Sequence, residues 1–191
     1  QNVLLDAGSY KYNTDEETLK YFMGTASHNT VMLGDYDQMK KGSRFIWYNW
    51  TQCKNVFYRE TEETYYLKGT ISAFKHVSNN ITHQREIIKI KGKPKWTIKD
   101  SVTNKPSEIS MKQLWHLPLQ HLPVKWKSNN GNSEAIKEQV AEGFVSGFYG
   151  KKDSCEMIVF QTKDDKIVTE FKIAVSTEGR TAEEINKNQI D

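Results

Sequence analysis

Five histidines stand at positions 28, 76, 83, 116 and 121 of this 191-residue chain, and three of them sit where they could do chemistry. His28 lies in Thr25-Ala26-Ser27-His28-Asn29-Thr30, a small polar run that leads into apolar Val31-Met32-Leu33. A strand opened by His-Asn-Thr can bring an imidazole to a sheet edge or cleft, for catalysis or metal binding. It can equally hold a structural, hydrogen-bonded histidine. His83 precedes Arg85 by two residues. In a strand both side chains then share a face, where an imidazole and a guanidinium suit a carboxylated or sulfated ligand, or an internal ion pair with Glu. His116 follows Trp115, so the two point to opposite faces, and the simplest arrangement is a buried Trp with an exposed or capped His. His76 and His121 have no informative context and read as surface residues.

Other chemistries are absent from the pattern. No Ser occupies a Gly-x-Ser-x-Gly elbow, and Gly8, Gly24 and Gly34 are too scattered for a phosphate loop. Cys53 and Cys155 form no CxxC or Cys/His pattern and leave open one long-range disulfide or two free thiols. Twenty-seven basic against 24 acidic residues give a net charge of +3, too slight an excess to argue for nucleic acid. No apolar run approaches the ~20 residues that cross a bilayer.

The elements that must position these histidines read as strands. Lys95–Lys99, Met111–Trp115 and Val168–Ile173 alternate with period two. Phe45–Tyr58 alternates loosely, and Ile87, Ile88 and Ile90 continue a strand that begins near Asn80. Turn clusters separate them at 91–94, 104–107, 128–132 and 163–166, each with Gly, Pro, Asn or Asp. Helix signals are confined to one short turn over Asp15–Phe22 and a second candidate at Thr181–Lys187. Many strands at short spacing without a βαβ rhythm predict an all-β fold, a large antiparallel β-sandwich with at most one or two short helices, as a single domain over residues 1–191. The chain opens on Gln1-Asn2-Val3-Leu4-Leu5, which reads as mid-strand without an initiator Met, so a fragment lacking an N-terminal part is expected.

Several segments, in order, resemble the C-terminal β-domain of the heparinase II/III-like polysaccharide lyases. Asp6-Ala7-Gly8-Ser9-Tyr10-Lys11-Tyr12 is similar to the family's Asp-x-Gly-x-Tyr-x-Tyr opening. Tyr21-Phe22, Thr25 and His28-Asn29-Thr30-Val31 resemble its hallmark run, with Asp37-Gln38 following. His83-Gln84-Arg85, Trp96–Asp100, Leu114–Leu117 and Ser146-Gly147-Phe148-Tyr149-Gly150 resemble later strands and its Ser-x-x-Tyr-Gly.

The resemblance implies one part of a bacterial, periplasmic or secreted enzyme. An N-terminal α/α toroid of the same polypeptide would supply a catalytic Tyr and an Asn or His, and the β-sandwich would close the cleft. The substrate would be an anionic, uronic-acid polysaccharide, whether heparan-type glycosaminoglycan, alginate or capsular polymer, cleaved by β-elimination. It implies His28 as a catalytic residue and Tyr10, Tyr12, Gln38 and Arg85 as substrate-binding residues. It also implies His28 and His83, with a carboxylate, as ligands of a structural divalent ion, zinc or calcium. The region that should supply that carboxylate reads Arg44-Phe45-Ile46-Trp47, without Asp or Glu, so no cofactor is assigned. The competing class is a non-catalytic carbohydrate-binding or structural sandwich, since the chain carries five Trp and nine Tyr; such a module should show a flat exposed aromatic platform.

Overall fold

A computed structural model describes residues 3–119 and 123–174. His121 and the helix candidate at Thr181–Lys187 lie outside the described residues. One helix, α1 (Glu16–Met23), opens the chain. It is two turns long rather than the single turn expected, because Asp15 caps it, accepting from the Thr18 N–H at 2.8 Å, with Glu16 and Glu17 in the first turn and Lys20 in the last. A 3-10 turn follows at Thr25–Ser27.

Among the described residues twelve strands follow: β1 (Val31–Leu33), β2 (Lys40–Lys41), β3 (Trp47–Tyr48), β4 (Gln52–Glu60), β5 (Thr64–Ser72), β6 (Thr82–Ile90), β7 (Lys95–Thr103), β8 (Met111–Leu117), β9 (Val124–Asn129), β10 (Gln139–Val145), β11 (Asp153–Thr162) and β12 (Lys166–Ile173). They form a four-stranded sheet ordered β1-β8-β11-β10, a six-stranded sheet ordered β4-β5-β6-β7-β12-β9, and a small β2–β3 hairpin. Every pairing is antiparallel, as the alternation predicts. The strand expected over Phe45–Tyr58 is broken in two, with Asn49 in the left-handed region (φ 58°) between β3 and β4.

The core lies between the two large sheets. Leu33, Phe74, Ile81, Val102, Met111, Leu117, Ile158, Phe160 and Ile167 are sealed there. Register explains its aromatic part: Phe171 of β12 pairs with Trp96 of β7 and Trp126 of β9, so three inward rings sit side by side, at 4.9 and 5.1 Å between centroids. Strand β8 is buried on both faces. Met111, Trp115 and Leu117 enter the core, while Leu114 and His116 face outward under a cover made by residues 5–30. Leu5 donates its N–H to the His116 carbonyl at 2.8 Å, and Leu114 donates to Thr30 at 3.0 Å. His116 is therefore wholly buried, not exposed or capped at the surface, because the opposite face of its strand is covered too. His76 is half-buried rather than a plain surface residue, set against the Tyr36 ring with its Nδ1 sealed from solvent. Cys53 is exposed and Cys155 buried, and both are free thiols.

Candidate active-site surface

The covering segment carries the first half of the candidate site. Gly8 adopts φ +67°, and a Cβ there would lie 2.7 Å from the Ser146 carbonyl oxygen, so both conformation and space demand glycine. Ser146 in turn donates its N–H to the Ala7 carbonyl at 2.7 Å, and Gly150 donates to the Tyr10 carbonyl at 2.8 Å. The Asp-x-Gly and Ser-x-x-Tyr-Gly segments thus grip one another. Their contact turns Asp6 toward His28, whose Nδ1 meets Asp6 Oδ2 at 2.7 Å, with the two side chains 45% and 62% exposed.

Burial alone would raise the Asp6 pKa. The hydrogen bonds from His28 and from the Gly8 N–H outweigh it and hold the carboxyl below its ordinary value. An ionised Asp6 fixes the tautomer with the proton on Nδ1 and leaves Nε2 as the ring nitrogen available to a ligand.

Each neighbour of His28 in its run has a distinct task. Asn29 is a buckle. Its Nδ2 donates to the Leu5 carbonyl at 2.8 Å, its Oδ1 accepts from the His116 N–H at 2.7 Å and from His116 Nδ1 at 3.1 Å, and its carbonyl accepts from Arg85 Nη1. Thr30 Oγ1 accepts from Gln38 Nε2 at 2.9 Å. Thr25 donates its N–H to Asp37 at 2.6 Å, and its hydroxyl accepts from the Gln38 N–H at 2.8 Å. Burial pushes the His116 pKa down to about 4, so this imidazole is neutral at ordinary pH.

Behind Asn29 lies a buried polar network. Asp100, with no exposed surface, accepts from Arg85 Nε and Nη2 at 2.8 Å each, meets His83 Nε2 at 2.7 Å and accepts from Gln113 Nε2 at 2.7 Å. Burial alone would raise the Asp100 pKa. Arg85 and His83 reverse that and hold its carboxyl far below the ordinary range. The Arg85 guanidinium also lies 5.1 Å from the Trp115 ring centre. Gln113 Oε1 accepts from Trp115 Nε1 at 3.0 Å and from the Thr169 hydroxyl at 2.6 Å, so the network crosses from one sheet to the other.

The expected site residues therefore divide. His28 is accessible. His83 is 4% exposed and Arg85 points inward, paired with Asp100 rather than with a Glu. The Gln38 side-chain amide is used on Thr30 and Val31 within the frame. Tyr10 stacks on Phe22 at 5.5 Å, and exposed Tyr12 meets Phe45 at 5.3 Å and Tyr149 at 6.0 Å. Both tyrosines line one cavity of ≈ 150 Å³, and His28 is not among its walls.

A divalent ion does not fit this arrangement. His83 Nε2 is committed to Asp100, the same carboxylate is clamped by a guanidinium, and among the described residues no three His, Cys, Asp or Glu side chains gather into a metal-holding group. Asp6, Asn29 and Asp100 carry much of the geometry, yet none was singled out from the sequence. Asp6 was legible as the head of Asp-x-Gly. Asp100 was legible only through register, since it pairs directly with Arg85 across β6 and β7.

Comparison with known proteins agrees with this layout. No curated protein sequence matches. Among solved structures, the chain superposes on the heparinase III BT4657 gene product with TM-score 0.67 at 17% identity, covering 91% of this chain and 28% of that one. It superposes on the heparan sulfate lyase HepC from Pedobacter heparinus with TM-score 0.68 at 18% identity, covering 94% and 29%. The chain thus spans less than a third of the length of these proteins, and at such identities the likeness speaks for the fold. The family description "Heparinase II/III-like, C-terminal" matches residues 1–187, and on a match of that extent the chain belongs to the heparinase II/III-like family.

Proposed function

We propose that this chain forms the β-sandwich wall of an active-site cleft in a polysaccharide lyase, with His28 as the group it contributes to β-elimination on a uronic-acid polymer. The observation that carries the reading is the accessible Asp6–His28 pair, held at 2.7 Å on a run that Asn29, Arg85 and His116 clamp from behind. In β-elimination a base takes the C5 proton of the uronate, the C4–O bond breaks, a C4–C5 double bond forms and an acid protonates the departing oxygen. The C5 proton becomes removable only when the adjacent carboxylate is neutralised or hydrogen-bonded.

His28 suits that task. Asp6 accepts from Nδ1–H, and once Nε2 has taken up a proton the carboxylate supports the charged ring while Nε2–H donates to the substrate carboxylate. The base, a Tyr, belongs to an N-terminal α/α toroid of the same polypeptide, and the enzyme works outside the cytoplasm, in the periplasm or secreted. Tyr10 and Tyr12 border the cleft, whereas Arg85 and Gln38 act by holding the wall in shape.

The aromatic arrangement supports a cleft wall over a carbohydrate-binding module. Beside the first-segment tyrosines, the exposed Tyr12 ring meets Phe45 at 89° and Tyr149 at 55°, so the aromatics nearest this wall do not form a flat platform. The test is the ultraviolet absorbance of unsaturated uronate released from heparan, alginate and hyaluronan-type polymers. The full-length protein should release it, the 191-residue chain alone should not, and His28→Ala in the full-length protein should lower turnover by ~10²-fold, the scale of losing one charge-stabilising group. Clear turnover by the chain alone would overturn the two-part enzyme.

A further inference from the structure

Between α1 and the β2–β3 hairpin lies a cavity of ≈ 480 Å³ whose walls include Lys20, Lys41, Arg44 and Trp47, with Glu16 and Asp37. Its hairpin side is tightly built. Gly42 donates to the Ile46 carbonyl at 2.8 Å and Ile46 donates to Ser43 at 3.0 Å. A Cβ on Gly42 would come 2.7 Å from the Tyr48 ring. Arg44 sits at φ 51°, a left-handed conformation that a non-glycine residue keeps only where its surroundings impose it, and such residues concentrate at functional sites. Lys41 Nζ donates to the Gly42 carbonyl at 3.0 Å and to that of Arg44, and lies 5.6 Å from the Trp47 ring centre.

Three cationic side chains thus border one cavity beside an indole face. Among the described residues none of the three is ion-paired with a carboxylate. Of the two acidic walls, Asp37 is already occupied by the Thr25 N–H at 2.6 Å. Glu16 offers an acceptor of the kind sugar hydroxyls use.

We propose that this cavity is a second saccharide subsite, separate from the Asp6–His28 pair, which takes an acidic sugar residue of the same polymer; the proposal rests on the reading that the chain binds an anionic polysaccharide. The indole presents an apolar face to the sugar's C–H face, and Lys20, Lys41 and Arg44 hold its carboxylate or sulfate. Asp37 and Gln38 tie this wall to Thr25 and Thr30, so the subsite and His28 ride on one frame and can hold neighbouring units of a single chain.

The test is calorimetric titration of the 191-residue chain, followed also by tryptophan fluorescence, with a sulfated heparan-derived tetrasaccharide, an unsulfated uronate tetrasaccharide and neutral cellotetraose. The charged sugars should bind and cellotetraose should not. Lys20→Ala/Arg44→Ala should weaken binding at least tenfold at an unchanged melting temperature, because both side chains are exposed. Trp47→Ala should weaken it independently of salt, and preference for the sulfated over the unsulfated sugar identifies sulfate as the held group. Unchanged affinity in the double variant, cellotetraose binding as tightly as the charged sugars, or no charged sugar bound by the parent chain would each overturn the subsite. Failure of the lyase reading looks different: the full-length protein would release no unsaturated product from any polymer, whatever the cavity binds.

Discussion

Two histidine–carboxylate pairs in this molecule have the same length and opposite surroundings. His28 meets Asp6 at 2.7 Å with side chains 45% and 62% exposed; His83 meets Asp100 at 2.7 Å with side chains 5% and 0% exposed. Contact distance therefore does not separate an accessible pair from a buried structural one, but burial and the surrounding partners do. Asp100 is satisfied by Arg85, His83 and Gln113 together and has no capacity left for a ligand. Asp6 has one imidazole and one backbone N–H, at a surface that water and substrate can reach. A buried charge stays ionised only through its full set of partners, so the inner pair is fixed. The outer pair is screened and contributes little to stability, so the fold does not depend on it.

The largest expected effect comes from breaking the inner pair. Asp100→Asn should cost about 3–5 kcal/mol of stability, because it removes the charge that the half-buried Arg85 guanidinium and the buried His83 share. Urea unfolding of Asp100→Asn and of the unsubstituted chain at one pH measures this, and a loss under ~1 kcal/mol would show the two pairs to be alike after all. The inner pair should also mark the acid limit. The Asp100 carboxyl is held far below its ordinary 3.8, so its contribution is fully present above about pH 4 and is lost only as pH falls toward the depressed folded value.

A comparable effect should come from His116, the buried imidazole under the outer pair. Its pKa falls from 6.5 to about 4, so the folded state resists the proton that the unfolded chain accepts. That contribution is present above pH 6.5 and is lost as pH drops from about 6.5 to about 4, on the order of 3 kcal/mol across the window. His116→Gln, which keeps a donor for Asn29, should flatten the stability profile between those pH values. An unchanged profile would exclude His116 as its source.

His28→Ala sharpens the contrast from the other side. Losing an exposed pair should shift stability by at most ~1 kcal/mol, although turnover of the full-length enzyme falls ~10²-fold. A stability loss as large as that of Asp100→Asn would make His28 a structural residue. The smallest effect is expected from Asp6→Asn, which keeps a side-chain acceptor for Nδ1–H but removes the charge behind the ring. Turnover should drop by about tenfold, because the negative charge behind the ring is gone while the hydrogen bond to it is kept. Unchanged turnover would show that the Asp6 charge does not support His28.

Much of this architecture was legible in local pattern. Lys95–Lys99, Met111–Trp115 and Val168–Ile173 alternate because one face of each strand meets the core, and alternation is visible wherever a strand has one wet face. β8 shows the limit of that signal. Its outward face is covered by a segment more than eighty residues earlier, so His116, expected to be exposed or capped, is sealed. Trp47 and Trp50 looked like parts of one long strand, and the left-handed Asn49 between them ends it.

The residue types by themselves determined the family motifs, the antiparallel sheets and the place of His28 at the entrance to a strand. These depend on short-range regularities: period-two alternation, turn residues, and a glycine at Gly8 where no other side chain fits. Only the tertiary structure decided which partner each functional group takes. Arg85 and His83 share a face in any register, but the pairing of β6 with β7 puts Asp100 rather than a ligand beside them. His28 could have met any of 24 acidic residues, and the grip of Ala7 and Gly8 on Ser146 gives it Asp6. Partner choice is set by contacts between segments distant in the chain, and burial then decides whether a pair of charges is locked or free to act.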